Sequence, residues 1–141
     1  MIGLLPVRVN DAWVAIYAGQ VVEILGARRW VKIPDAPPRI PGVIAWQGRA
    51  IAAFDLGVLL DVGSALGSGP PRARTLIVRV GASMLAVPVD GVREVQTVPQ
   101  AELRVPFVVR HASASHEVEL HGQLMPVLDL VSLFAAGHEA P

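Results

Sequence analysis

The chain has no cysteine among its 141 residues. Disulfides and thiolate metal sites are therefore excluded, and the composition suits a reducing cytoplasm. Neither sign of charge prevails, because 12 Lys and Arg balance 12 Asp and Glu. A polyanion-binding protein draws its affinity from neutralising phosphates, so this balance argues against nucleic acid as a partner. Aromatic residues make up only 5% of the chain, too few for a platform on which successive bases stack. No apolar run approaches the roughly 18 residues that a membrane helix needs. MIGLLPVRVN lacks the basic stretch and apolar core of a secretory signal. These absences predict an intracellular protein that is not inserted in a membrane.

Hydrophobic residues are abundant instead, at 52% against 17% charged, with a mean hydropathy of +0.50. Two explanations fit a small domain this apolar. One is an alanine- and valine-rich core; the other is apolar surface kept open for a partner.

The chain is written twice. Val43 to Leu60, VIAWQGRAIAAFDLGVLL, reads as a strand, a tight turn at Gln47-Gly48, a second strand and a short helix. Glycine supplies the positive φ of the turn, and Asp55 is placed to cap the helix. Val118 to Phe134, VELHGQLMPVLDLVSLF, repeats the sentence with the Gly122-to-Asp129 spacing equal to Gly48-to-Asp55. Upstream, Leu4–Val9 and Trp13–Tyr17 predict a hairpin around Asn10-Asp11, as do Thr75–Val80 and Met84–Val89 around Gly81-Ala82. Pro6 places its strand at an edge or a strand end, since proline cannot donate to a ladder. Val21, Glu23 and Ile24 match Val92, Glu94 and Val95 at an offset of 71 residues, whereas the Gly/Asp pair repeats at 74. The difference falls between them, in the proline-bearing segment Trp30 to Pro41 of the first half and its counterpart. Asp61 to Arg74 has the glycine, serine and proline content of a connector.

Each half thus predicts a hairpin, a VxE turn, an irregular segment, a second hairpin and a capped short helix. Strand-rich halves of about 60 to 70 residues suggest two small barrels packed together. The expected fold is mainly β, a single domain over 1–141 with halves of roughly 1–65 and 75–134 and room for strand exchange between them.

Catalytic chemistry has little to stand on. His111, His116 and His121 are spaced by five, one residue too far for a pair of zinc ligands on one helix face. On a strand the rings of His116 and His121 point to opposite faces, so they are read as solvent-facing side chains. A small metal-dependent β-barrel hydrolase is the alternative they leave open. Asp55 and Asp129 could be paired carboxylates, but their place in the repeat makes them helix caps. Arg28, Arg29 and Lys32 form the basic cluster, around Trp30.

Taken in order, AWVAIYAGQVVEI (Ala12–Ile24), PGVIAWQGRAIAAFDL (Pro41–Leu56), LIVRVGASMLAVPVDGVREV (Leu76–Val95) and HGQLMPVLDLVSLF (His121–Phe134) resemble the CheW family, the coupling proteins of bacterial chemosensory arrays. The likeness runs from about Leu4 to Phe134. It implies two small five-stranded, SH3-like β-barrels around a hydrophobic groove. It also implies a non-enzymatic cytoplasmic adaptor at receptor clusters, without cofactor or metal. The partners implied are the cytoplasmic tip of a chemoreceptor and the regulatory domain of a CheA-type histidine kinase; the apolar surface also suits self-association.

Carried over by position, Val21 matches a valine associated with partner contact, Gly42 the glycine that opens the first hairpin, and Val87 and Val89 the strand beside the groove. The hairpin turn departs from the family. Asn-Leu-Arg-Gly is typical there, with its arginine tied to coupling, and this chain has Ala45-Trp46-Gln47-Gly48. Arg49 lies two residues on, and Trp46 either remodels the contact or packs inward. Two adaptors follow: a full receptor–kinase coupler, and a divergent accessory adaptor that binds receptors or another adaptor without the kinase.

Overall fold

The computed structural model describes residues 1–67, 70–105 and 114–138. Among these residues twelve strands and two α-helices follow the duplicated order, with 3-10 turns at Ala18–Gln20 and Gln100–Glu102. In the first half these are β1 (Ile2–Val9), β2 (Ala12–Tyr17), β3 (Val21–Leu25), β4 (Val31–Lys32), β5 (Gly42–Trp46), β6 (Arg49–Ala53) and α1 (Leu56–Leu59). In the second they are β7 (Arg74–Val80), β8 (Ser83–Val89), β9 (Gly91–Val92), β10 (Gln96–Val98), β11 (Ala114–Leu120), β12 (Gln123–Leu128) and α2 (Leu130–His138). Residues 61 to 73 hold no described helix or strand, and α2 runs past the expected end at Phe134.

The strands form two six-stranded sheets. One has the order β10-β1-β2-β12-β11 with β9 also on β1, and the other β3-β7-β8-β6-β5-β4. Each sheet takes its first hairpin from one half of the chain and its remaining strands from the other. The limits of the sequence repeats are therefore not the limits of the sheets. A parallel pair joins the two sources in each: Val127 on Ala15 in the first sheet, Ala53 on Ala86 in the second.

Six strands rather than five arise differently in the two sheets. In the second sheet, tiny β4 pairs with the start of β5 through Val31 and Lys32. In the first, the counterpart of β3 is broken into β9 and β10, and Pro6 explains the break. Pro6 does not lie on an edge: β1 is interior, with β2 on one side and β9 and β10 on the other. The Pro6 carbonyl accepts from Arg93 N at 3.0 Å, so the donor that proline lacks is missing on the β9/β10 side, where the ladder is interrupted. Ile77, the repeat partner of Pro6, has an N–H, and there β3 stays continuous, with Glu23 opposite Ile77 and a bulge beside it.

The strand path of each sheet is open among the described residues. Both sheets are nevertheless rolled, because each encloses its own core. Ile44, Trp46, Ile51, Ala53, Ile77 and Ala86 fill the second sheet. Leu4, Ala15, Val118, Leu120, Met125 and Val127 fill the first. A third and larger core lies between the sheets, built from Leu5, Val7 and Ile16 facing Leu76, Val78 and Val87, and closed by Leu56, Leu60, Leu130 and Leu133 of the helical segments.

Candidate functional site

The hairpin β5–β6 gathers most of the residues singled out in the sequence. Its turn has φ of +49° at Gln47 and +74° at Gly48, the primed geometry that matches the twist of two-residue hairpins. The repeat-related turn has the same form, with +51° at His121 and +72° at Gly122. His121 therefore stands at a turn after β11 and not within a strand, which corrects the expected alternation with His116. His116 is on β11, and His111 lies outside the described residues. Among the described residues no three His, Cys, Asp or Glu side chains converge as a metal site.

Alternation along β5 sends Gly42, Ile44 and Trp46 inward and leaves Ala45 exposed. Trp46 is 9% exposed, so it packs as core. Its indole N–H donates to Glu23 Oε2 across 3.2 Å, tying the free edge of β3 to the end of β5. Gln47 and Arg49 are exposed, and the Arg49 guanidinium lies 5.8 Å from the Trp46 ring centroid.

Between these two edges is a cleft of about 270 Å³. Glu23, Leu25 and Arg28 wall it on one side, Ala45, Trp46 and the Gln47-Gly48 turn on the other. Arg28 is exposed. Glu23, Leu25 and Arg28 were not among the expected site residues, although the repeated VxE stretch and the basic cluster after it marked that part of the chain.

The remaining candidates fall elsewhere. Val87 and Val89, at 2% and 0% exposure, belong to the core between the sheets and offer no side-chain surface to a partner. Val21 is half-buried and packs against the same core. Gly42 is buried where β4 crosses it, and a Cβ there would meet the Val31 carbonyl oxygen and the Trp30 ring. Apolar surface does remain on β3, where Val22 is 44% and Ile24 43% exposed.

The helix caps hold as structure. Asp55 is buried, and its carboxylate accepts from Val58 N, Ser64 Oγ, Ala65 N and Leu66 N at 2.6–3.2 Å. Asp129 accepts from Val131 N, Gln20 Nε2 and Ser132 Oγ at 3.0–3.3 Å. All of these donors but Gln20, which reaches Asp129 from the 3-10 turn Ala18–Gln20 between β2 and β3, are local to a helix start or the loop after it, and neither carboxylate needs the other.

Comparison with known proteins gives one family. The CheW-like domain model matches residues 3–138. Among solved structures, the scaffolding protein TtCheW from Thermoanaerobacter tengcongensis superposes with a TM-score of 0.81 at 20% identity, covering 94% of this chain and 87% of that one. No curated protein matches by sequence.

Proposed function

The chain belongs to the CheW-like domain family, and on that premise we propose that it is a non-enzymatic adaptor of a bacterial chemosensory system, linking receptor cytoplasmic tips to a CheA-type histidine kinase. The observation that carries this reading is the family match over residues 3–138, which takes in both sequence repeats. The physics agrees with it. A scaffold needs surface rather than a reactive centre, and the two exposed apolar side chains on β3 sit on a strand with one edge that no described strand pairs, a common place for one protein to meet another. No described helix is long and apolar enough to cross a membrane.

A second reading within the same class is favoured by one residue. Gln47 stands exposed at the tip of the turn, where the family resemblance calls for arginine. Arg49 is not its replacement, because its guanidinium turns back over Trp46. The chain would then be a divergent adaptor that keeps receptors or another adaptor and has lost the kinase.

Calorimetry separates the two. The purified protein and its Gln47→Arg variant are each titrated with the regulatory domain of the cognate kinase and with the receptor tip. Micromolar binding of both partners by the natural chain makes it a coupler. Receptor binding alone, with kinase binding restored by Gln47→Arg, makes it the divergent adaptor. Binding of neither partner removes the adaptor reading.

A further inference from the structure

We propose that two copies of this chain exchange halves. Residues 1–66 of each close on the second half of the other, from Arg72 onward, and every sheet keeps the strands it has in the single chain. The partner is a second copy, and this holds whether or not the chain couples a receptor to a kinase.

The surface that a second copy meets is the one each half already presents to the other. β1 pairs with β9 and β10, β2 with β12, β3 with β7, and β6 with β8. Each of these pairings joins the first half of the chain to the second. The core between the sheets does the same, with Leu5, Val7 and Ile16 from one half against Leu76, Val78 and Val87 from the other. None of these contacts depends on which chain supplies the partner half. Exchange therefore preserves the pairings and the core, and changes only the segment that joins the halves.

That segment is short. Ser64, Ala65 and Leu66 are held to Asp55, and Leu66 is buried in the core of the second sheet, so the first half is fastened as far as Leu66. Arg72 fastens the start of the second half through Asp90. Between them Gly67, Pro70 and Pro71 are exposed. Proline fixes its own φ and biases the residue before it towards extended backbone, so Pro70-Pro71 opposes a tight return. Arg72 favours neither form. Its donations to Asn10 Oδ1 and to the Ser64 and Ala65 carbonyls cross between the halves and re-form in the dimer. Proximity is what favours the single chain, because a short linker holds its ends at an effective concentration on the order of millimolar. Exchange therefore belongs to refolding at a comparable chain concentration. The halves part only when the shared core opens, so a dimer once formed persists on dilution.

The test begins with the natural chain, unfolded in urea and refolded at about 1 mM and at about 10 µM. Light scattering after dilution to one concentration should find a dimer share about tenfold or more greater in the first sample. Cross-linking then identifies the dimer. Leu25 on β3 lies opposite Thr75 on β7, one in each half, and the chain has no cysteine of its own. Leu25→Cys and Thr75→Cys chains, refolded together at about 1 mM and oxidised, should give covalent dimers of unlike chains. The same two chains folded separately and then mixed should give none. A chain carrying both substitutions, refolded dilute, should close its disulfide within itself and so prove that the geometry admits the bond. A natural chain that stays monomeric at both concentrations would overturn the proposal. So would a dimer that falls apart promptly on dilution, or one that yields no unlike cross-link while the doubly substituted chain closes.

Discussion

Gly42 shows how a residue can shape the candidate site without presenting a side chain. A Cβ built there meets the Val31 carbonyl oxygen and comes within 2.6 Å of Trp30 Cε3, so β4 and the indole must both give way. Gly42→Ala should cost about 2–3 kcal/mol, as other overpacked sites do. Urea denaturation checks this, and an unchanged midpoint would mean that β4 yields freely. The two aspartate caps offer a comparison within one molecule. Asp55 is buried with four donors, whereas Asp129 is half-exposed with three. Exchanging either for asparagine replaces one acceptor oxygen by an NH2 that faces donors. Asp55→Asn should cost about 3 kcal/mol because the orphaned N–H groups stay buried, and Asp129→Asn about 1 kcal/mol because water reaches the site. Equal losses in the two melts would show that burial is not what sets the difference. Much of this scale was legible: a turn glycine and a capping aspartate declare themselves by spacing. The inward Trp46 was not, since a tryptophan beside a turn reads equally as surface or core until the strand's alternation is fixed by Ile44 and Gly42.

At the scale of elements, the sequence announced its hairpins through Asn10-Asp11, Gln47-Gly48 and Gly122, and its connector through Asp61 to Arg74. It did not announce what the connector holds. Arg72 donates to Asp90 Oδ1 at 2.9 Å and to Asn10 Oδ1 at 2.9 Å, and to the carbonyls of Ala65 and Ser64 at 3.0 Å. Asn10 in turn donates from its side chain to the Val62 and Gly63 carbonyls, both at 2.9 Å. One guanidinium thereby ties the β1–β2 turn, the segment after α1 and the end of β8. These partners stand 62 and 18 residues from Arg72 in the chain, so no local pattern could connect them. The Arg72–Asp90 pair is partly open to solvent, with side-chain exposures of 28% and 15%, which reduces its value. Arg72→Met should therefore cost only about 1–2 kcal/mol, with most of the loss from carbonyls left without their donor. A double-mutant cycle with Asp90→Asn measures the pair itself. Coupling near zero would mean that the carbonyl contacts, and not the ion pair, fasten the connector. Pro6 belongs here too. It was expected to mark an edge and instead marks a break in the neighbouring strand, because a missing donor disturbs the ladder beside it as readily as it ends a sheet.

At the scale of the molecule, the duplication extends from sequence to pairing. Leu5 opposite Ile16 in one hairpin corresponds to Leu76 opposite Val87 in the other, and Val127 on Ala15 corresponds to Ala53 on Ala86. The order of elements was readable because each repeat carries its own turn and cap signals. Strand exchange between the halves was allowed for, but which hairpin crosses lay beyond reading, since strands of equal length and equal hydrophobicity do not name their neighbours. The consequence of the exchange is energetic. Each sheet borrows its central hairpin from the other half of the chain, and those hairpins pack on one another through the core between the sheets. Neither sheet can lose its strands without opening that core, so the two should unfold together in one cooperative transition. The tryptophans allow a direct check. Trp13 packs with the core of the first sheet, and Trp30 and Trp46 with that of the second. Variants keeping Trp13 alone or Trp46 alone, the others being phenylalanine, should show fluorescence midpoints that coincide with their own far-UV circular dichroism. Leu76→Ala, placed in the shared core and fully buried, should shift both probes together by about 2–5 kcal/mol. Separated midpoints would mean that the borrowed hairpin binds its host sheet more weakly than the sheet binds itself. The molecule would then be two loosely joined bodies.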